Sequence, residues 1–184
     1  MAAEELPGFA LDAPGASLQG MGVLELSWDV FGELCRALAV NVARSYEPEL
    51  VVGIAKAGVI PGAVIASILR LDFFSMKISR RSGFEEVRDR PQLLTSAPRE
   101  ARGKRVLIVD EICTTGETLR MALAAVRAES PADIRTATSF VKSGQYKPDF
   151  FAVETDATVI FPWDRQVLGE EGALVENPRY EHLL

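Results

Sequence analysis

Residues 105–119 read RVLIVDEICTTGETL, and this stretch constrains the fold more than any other. Val106 to Val109 form a short apolar run rich in β-branched residues, as a fully buried strand requires. Two adjacent carboxylates, Asp110 and Glu111, follow directly. Thr114, Thr115, Gly116, Glu117 and Thr118 come next, then an apolar stripe of Leu119, Ala122, Leu123 and Val126 at helical spacing. The order is strand, acidic pair, hydroxyl-rich loop, helix. A loop at a helix N-terminus offers unpaired N–H groups, hydroxyls and the positive end of the helix dipole to an anion. Gly116 lets the backbone approach that anion closely. The carboxylates stand just past a strand's carboxyl end, where open α/β sheets bind ligands. A nucleotide P-loop needs a lysine before its Ser/Thr, and a dinucleotide fingerprint needs three spaced glycines; neither pattern is present.

The rest of the chain alternates strand and helix around this stretch. Residues 1–20 carry Pro7, Gly8, Pro14, Gly15 and Gly20 without periodicity and read as a mobile arm. Gly22 to Leu26 reads as a short edge strand. Ser27 reads as a helix N-cap, with Leu26 and Phe31 as a hydrophobic staple. The helix is predicted to run to about Tyr46 with Val30, Leu34, Leu38 and Val42 on one face, before Pro48. Leu50 to Ile54 is a strand leading into AKAGVIPG at 55–62. Pro61 suits a helix start, and Val64, Ile65, Ile68 and Leu69 are expected to form that helix's buried face. Leu71 to Ile78 is a third strand. Residues 79–104, with seven basic residues among acids and with Pro91 and Pro98, read as a long flexible loop of the kind that covers sites. After the turn at Ser130-Pro131, Ile134 to Val141 is a strand ending at Lys142; Phe150 to Glu154 and Thr158 to Ile160 are short strands. Residues 165–184 read as an acidic C-terminal tail, and His182 as a tail residue. The alternation predicts a mainly parallel, open, twisted α/β sheet with helices on both faces. Lys56, Asp110, Glu111, the threonine loop and Lys142 then share the sheet's carboxyl edge.

With 184 residues, the chain reads as a single domain, 1–184, able to bury a substantial core. A net charge of −6 argues against a general nucleic-acid surface, so a phosphate site here has to be local. No apolar run is long enough to span a bilayer, and the N-terminus lacks the pattern of a secretory signal. Cys35 and Cys113 read as free thiols of a cytoplasmic protein.

The central stretch closely resembles the phosphoribosyl diphosphate (PRPP) motif of type I phosphoribosyltransferases: apolar strand, two acids, short linker, T-G-x-T. Other features extend the resemblance to the microbial xanthine-guanine and hypoxanthine branch. These are Ser27-Trp28-Asp29 at the first helix, the 55–62 loop running into I-P-G, Lys142 at a strand end, and Pro162-Trp163-Asp164. The resemblance implies the type I fold with a small hood formed by 79–104. It implies transfer of the phosphoribosyl group from PRPP to a 6-oxopurine, Mg²⁺ as cofactor, and a homodimer or larger homo-oligomer. Asp110 and Glu111 would hold the ribose hydroxyls and stabilise positive charge, and Thr114 to Thr118 would hold the 5′-phosphate. Lys56, Ala57, Gly58 and Arg81 would bind pyrophosphate. Lys142, Thr158 and Val159 would bind the base, Lys142 donating to its 6-oxo group, and Glu111 and Asp164 would serve the metal. It also implies a non-proline cis peptide between Ala55 and Lys56. Three positions depart from the branch: Thr114 replaces its usual aspartate, Thr158 stands where an aromatic stacks on the base, and Ala57 replaces a glycine. A transferase for a non-purine base and a non-catalytic PRPP-sensing regulator are the alternatives these departures leave.

Overall fold

The apolar runs of residues 50–54 and 106–109 form adjacent central strands whose successive side chains point to opposite faces. Val51, Leu107 and Val109 enter one core; Leu50, Val52, Ile54, Val106 and Ile108 enter the other. Burial on both faces explains why these strands read as continuous apolar runs instead of alternating ones.

The computed structural model describes residues 22–82, 86–144 and 146–183, and residues 16–18; for 16–18, 81–82 and 86–88 the backbone alone is described. In chain order the elements begin with β1 (Ala16–Leu18), β2 (Val23–Glu25), α1 (Trp28–Ser45), β3 (Leu50–Ala55) and α2 (Val59–Leu69). They continue with β4 (Phe73–Ser82), β5 (Glu86–Thr95), β6 (Arg105–Cys113), α3 (Glu117–Ala128) and β7 (Asp133–Val141). β8 (Phe150–Thr155), β9 (Thr158–Ile160), β10 (Gln166–Leu168) and β11 (Leu174–Glu176) complete them. The main sheet has the order β1-β8-β7-β6-β3-β4-β5, parallel throughout except for the antiparallel β4–β5 pair. α1 and α2 cover one face and α3 the other, as the alternation predicts. β2 pairs with β9 in a separate parallel ribbon, and β10 with β11 in an antiparallel one.

The first helix follows its sequence signals. The Val30 N–H donates to Ser27 Oγ at 3.2 Å, and Leu26 and Phe31 are buried in the same core. The two Trp-Asp motifs meet in space: the Trp28 and Trp163 rings lie 5.9 Å apart, and Trp163 stacks on Phe161 at 4.6 Å. They fasten the end of β9 to the start of α1.

Four expectations are corrected. The predicted loop 79–104 is largely strand, since β4 continues to Ser82 and β5 returns antiparallel along it to Thr95. β5 is an edge strand, so it tolerates Pro91 and lacks the apolar signature of a central strand. α2 buries Pro61, Gly62, Ile65 and Ala66, while Val64 and Ile68 are 36% and 42% exposed. This helix is apolar all round, so periodicity cannot select its inner face. The small residues face the sheet because a Cβ at Gly62 would lie 2.9 Å from the Phe73 ring. Within the predicted N-terminal arm, 16–18 form β1 on the edge of β8, and the remainder lies outside the described residues. The C-terminal tail folds as the β10–β11 hairpin followed by a 3₁₀ turn, Pro178–Tyr180, that buries Tyr180.

Candidate active site

The acidic pair lies near the carboxyl end of β6. Asp110 is 8% exposed, and its Oδ1 accepts the Glu111 N–H at 3.0 Å. Burial first, and then the neighbouring Glu111 charge, raise the Asp110 carboxyl well above the ordinary carboxylate range. Glu111 is half-buried. The loop after β3 packs directly against this pair. A Cβ at Gly58 would lie 2.7 Å from both Asp110 Oδ1 and the Ile54 carbonyl oxygen, and 2.8 Å from Asp110 Cα. Only a glycine lets the 55–58 loop come this close. The Ala55–Lys56 peptide is cis, and neither Ala57 nor Gly58 takes a positive φ. Ala57 therefore fits where the family prefers glycine.

The hydroxyl-rich loop runs from β6 into α3. Gly116 is the helix N-cap, with φ 76° and ψ 2°, and has no side chain to cap the first turn. Thr115 Oγ1 accepts from the Glu117 N–H at 3.4 Å. A small open cleft lies here, lined by Arg80, Asp110 and residues 112–119. The loop's outer side is held by Tyr146, from the segment after β7. A Cβ at Gly116 would lie 2.4 Å from Tyr146 Cγ. Arg120 donates to the Thr115 carbonyl at 2.9 Å and lies 5.2 Å from the centre of the Tyr146 ring. The Cys113 thiol donates to the Tyr146 carbonyl at 3.4 Å.

Tyr146 and Arg120 were not singled out by sequence reasoning, because neither is part of a local pattern; their roles exist only through packing. Arg80 was visible only as one of several hood basic residues. Here it is ion-paired with Glu117. The Arg81 side chain lies outside the described residues.

The predicted base-side residues divide. The Lys142 N–H donates to the Cys113 carbonyl at 3.0 Å, which ties this lysine's backbone to the end of β6. Its ammonium donates to the Asp156 and Ala157 carbonyls at 2.9 and 2.5 Å, leaving one of three donors for a ligand. Thr158 is half-buried in β9, with its N–H bonded to the Gly22 carbonyl at 3.0 Å. Val159 is 7% exposed and its side chain belongs to the core, which leaves its backbone as the part that can face a ligand. Asp164 is engaged by the C-terminal tail. Its Oδ2 accepts from the Tyr180 hydroxyl at 2.5 Å, Oδ1 from Asn177 Nδ2 at 3.3 Å, and Arg179 lies at 3.8 Å. Both oxygens take part in holding the tail.

Among the described residues, no group of three or more His, Cys, Asp or Glu side chains is placed to hold a metal alone. Mg²⁺ in phosphate-transfer sites takes only one or two carboxylates and completes its shell with substrate oxygens and water. Glu111, at the strand end beside the cleft, fits that pattern.

The family model described as phosphoribosyl transferase domain matches residues 27–171. The chain is similar to a xanthine-guanine phosphoribosyltransferase of Nitratidesulfovibrio vulgaris, 28% identical over 148 residues, covering 79% of this chain and 86% of that one. It is also similar to an adenine phosphoribosyltransferase of Wolinella succinogenes, 30% identical over 128 residues, covering 62% and 68% of the two chains. Among solved structures it resembles a purine phosphoribosyltransferase from Pyrococcus horikoshii, with a TM-score of 0.68 and 26% identity, over 82% of this chain and 99% of that one.

Proposed function

This chain belongs to the phosphoribosyltransferase family, and we propose that it transfers the 5-phosphoribosyl group of PRPP to a 6-oxopurine, releasing pyrophosphate. One observation carries the reading. The buried Asp110 is in contact with the Gly58 loop on one side, and on the other its strand runs into a helix N-terminus whose N-cap, Gly116, has no side chain. A sugar with a phosphate at one end and a diphosphate at the other presents groups for all three places.

In this reading the Thr115–Thr118 backbone and hydroxyls bind the 5′-phosphate, with Thr114 at the loop's entry. Lys56, Ala57, Gly58 and Arg81 bind the pyrophosphate. Asp110 and Glu111 hold the ribose hydroxyls. The bond between the anomeric carbon and the pyrophosphate oxygen breaks, a ring nitrogen of the base attacks that carbon, and the nitrogen's proton is lost. Positive charge develops on the ribose, so the acids contribute by electrostatic stabilisation and by orienting the sugar. When bound, Mg²⁺ would neutralise the leaving pyrophosphate, with Glu111 as its protein carboxylate. Lys142 uses its remaining donor on the 6-oxo group, and Thr158 and the Val159 backbone border the base. The relatives named for xanthine and guanine support a 6-oxo substrate over the adenine named for the other relative. Free, buried Cys35 and Cys113 support a reducing, cytoplasmic setting. The exposed apolar Val64 and Ile68 on α2 support a homodimer or larger homo-oligomer.

The test is pyrophosphate release from PRPP and Mg²⁺ with a panel of bases. Release with xanthine, guanine or hypoxanthine is expected. A protein that binds PRPP but releases pyrophosphate with no base is a sensor and not a transferase.

A further inference from the structure

We infer that Glu117 is a built-in competitor for the substrate's 5′-phosphate, and that Arg80 is the cation for which the two compete. This rests on the phosphoribosyl-transfer reading of the loop.

Glu117 is the first residue of α3, directly after the N-cap Gly116. The end of a helix that attracts an anion therefore already carries one. That carboxylate is paired with the Arg80 guanidinium, and both side chains line the cleft formed by the 112–119 loop. Arg80 comes from another part of the sheet, on β4. The β4–β5 register shifts between Ser79 and Arg81, and such an irregularity re-aims side chains out of the regular pleat. The shift lies at the residue that reaches α3.

A phosphate entering this cleft meets two opposed charges. Glu117 repels it, and Arg80 attracts it but is already engaged. The arginine fork suits a carboxylate and a phosphate equally, so exchanging one for the other is chemically direct. The second cation near the loop, Arg120, is committed to the Thr115 carbonyl and the Tyr146 ring. Without ligand, the pair ties the hood hairpin to the phosphate loop. With phosphate bound, Arg80 transfers to it and Glu117 gives way. Glu117 thereby weakens phosphate binding, and Arg80 couples the hairpin to occupancy of the loop.

Calorimetric titration of the full chain with PRPP, and separately with inorganic phosphate, tests this on wild type, Glu117→Gln, Glu117→Ala, Arg80→Gln and the Arg80→Gln/Glu117→Gln double variant. Glu117→Gln and Glu117→Ala should bind both ligands more tightly, by roughly 1.5- to fivefold, the range of a half-exposed charge pair. Arg80→Gln should bind at least about tenfold more weakly, because it loses a charged phosphate contact and leaves Glu117 unneutralised. The double variant should fall between these, and its departure from the sum of the two single changes measures their coupling. In turnover, Glu117→Gln should lower the KM for PRPP and leave the KM for the base unchanged, which a purely structural pair would not do. Both side chains are about 40% exposed, and a thermal scan of each variant checks that it folds. Wild type that binds PRPP, with both Glu117 variants equal or weaker, overturns the inference alone. Wild type that binds neither ligand overturns it together with the function on which it rests.

Discussion

Gly116 is required twice, and the two requirements can be separated. Its φ of 76° lies where an L side chain is strained, at a cost of about 1–2 kcal/mol for alanine. Independently, an added Cβ would lie 2.4–2.6 Å from three atoms of Tyr146, an overlap that costs a further 1–3 kcal/mol or so once the neighbours shift. Gly116→Ala should therefore lose about 2–5 kcal/mol in urea unfolding, the sum of these two ranges. PRPP binding should weaken as the displaced loop turns its N–H groups away, and a bulky β-branched residue should abolish it. Tyr146→Ala removes the overlap and keeps the φ strain. It also loses its own packing, including the Arg120 contact, worth about 0.5–1 kcal/mol. In the double variant the two losses should fall short of additive by about 1–3 kcal/mol, the steric share. Additive losses would show that the ring does not hold the loop. Unchanged PRPP affinity in Gly116→Ala would remove the phosphate-loop assignment.

Three further perturbations follow from the same geometry. Burial raises the Asp110 carboxyl in the folded state, so its contribution to stability is fully present at pH below the ordinary carboxylate range and is lost as pH rises through the raised value. In chelator-treated protein, Asp110→Asn should thus show a higher thermal midpoint than wild type at pH 8 and a flatter pH dependence, while turnover of Asp110→Asn/Glu111→Gln with Mg²⁺ falls by orders of magnitude; a lower midpoint for Asp110→Asn would contradict the burial argument. Lys142 donates hydrogen bonds and accepts none, so wild type should use hypoxanthine or guanine well and adenine poorly, and equal pyrophosphate release with adenine would refute its role. Tyr180→Phe removes the hydroxyl held by Asp164 and should cost about 1–2 kcal/mol by denaturant unfolding, with the KM for PRPP unchanged; an altered Mg²⁺ dependence would tie this tail contact to the metal site.

Much of the architecture follows from local chemistry. The runs at 50–54 and 106–109 could be read as buried strands because nearly every side chain in them is apolar, and Ser27 could be read as a cap because its hydroxyl acts three residues away. The acid pair and the Thr-Gly loop were legible for the same reason: their chemistry is contiguous in the chain. What depends on distant partners was not legible. The β5 edge strand, whose described side chains are exposed apart from the buried Pro91, exists because β4 supplies its hydrogen bonds. The inner face of α2 was set by where small residues could approach Phe73 and Gly53, not by its uniform apolarity. The partners of Asp164 in the tail, Tyr180 and Asn177, reach it only once the tail folds back. Tyr146 against Gly116, and Arg80 against Glu117, are joined across 30 and 37 residues of chain, shown by the overlap at Gly116 and by the ion pair. Hydropathy and spacing report a residue's neighbours along the chain, whereas a clamp or an ion pair across strands is decided by which surfaces the packed sheet and helices bring together.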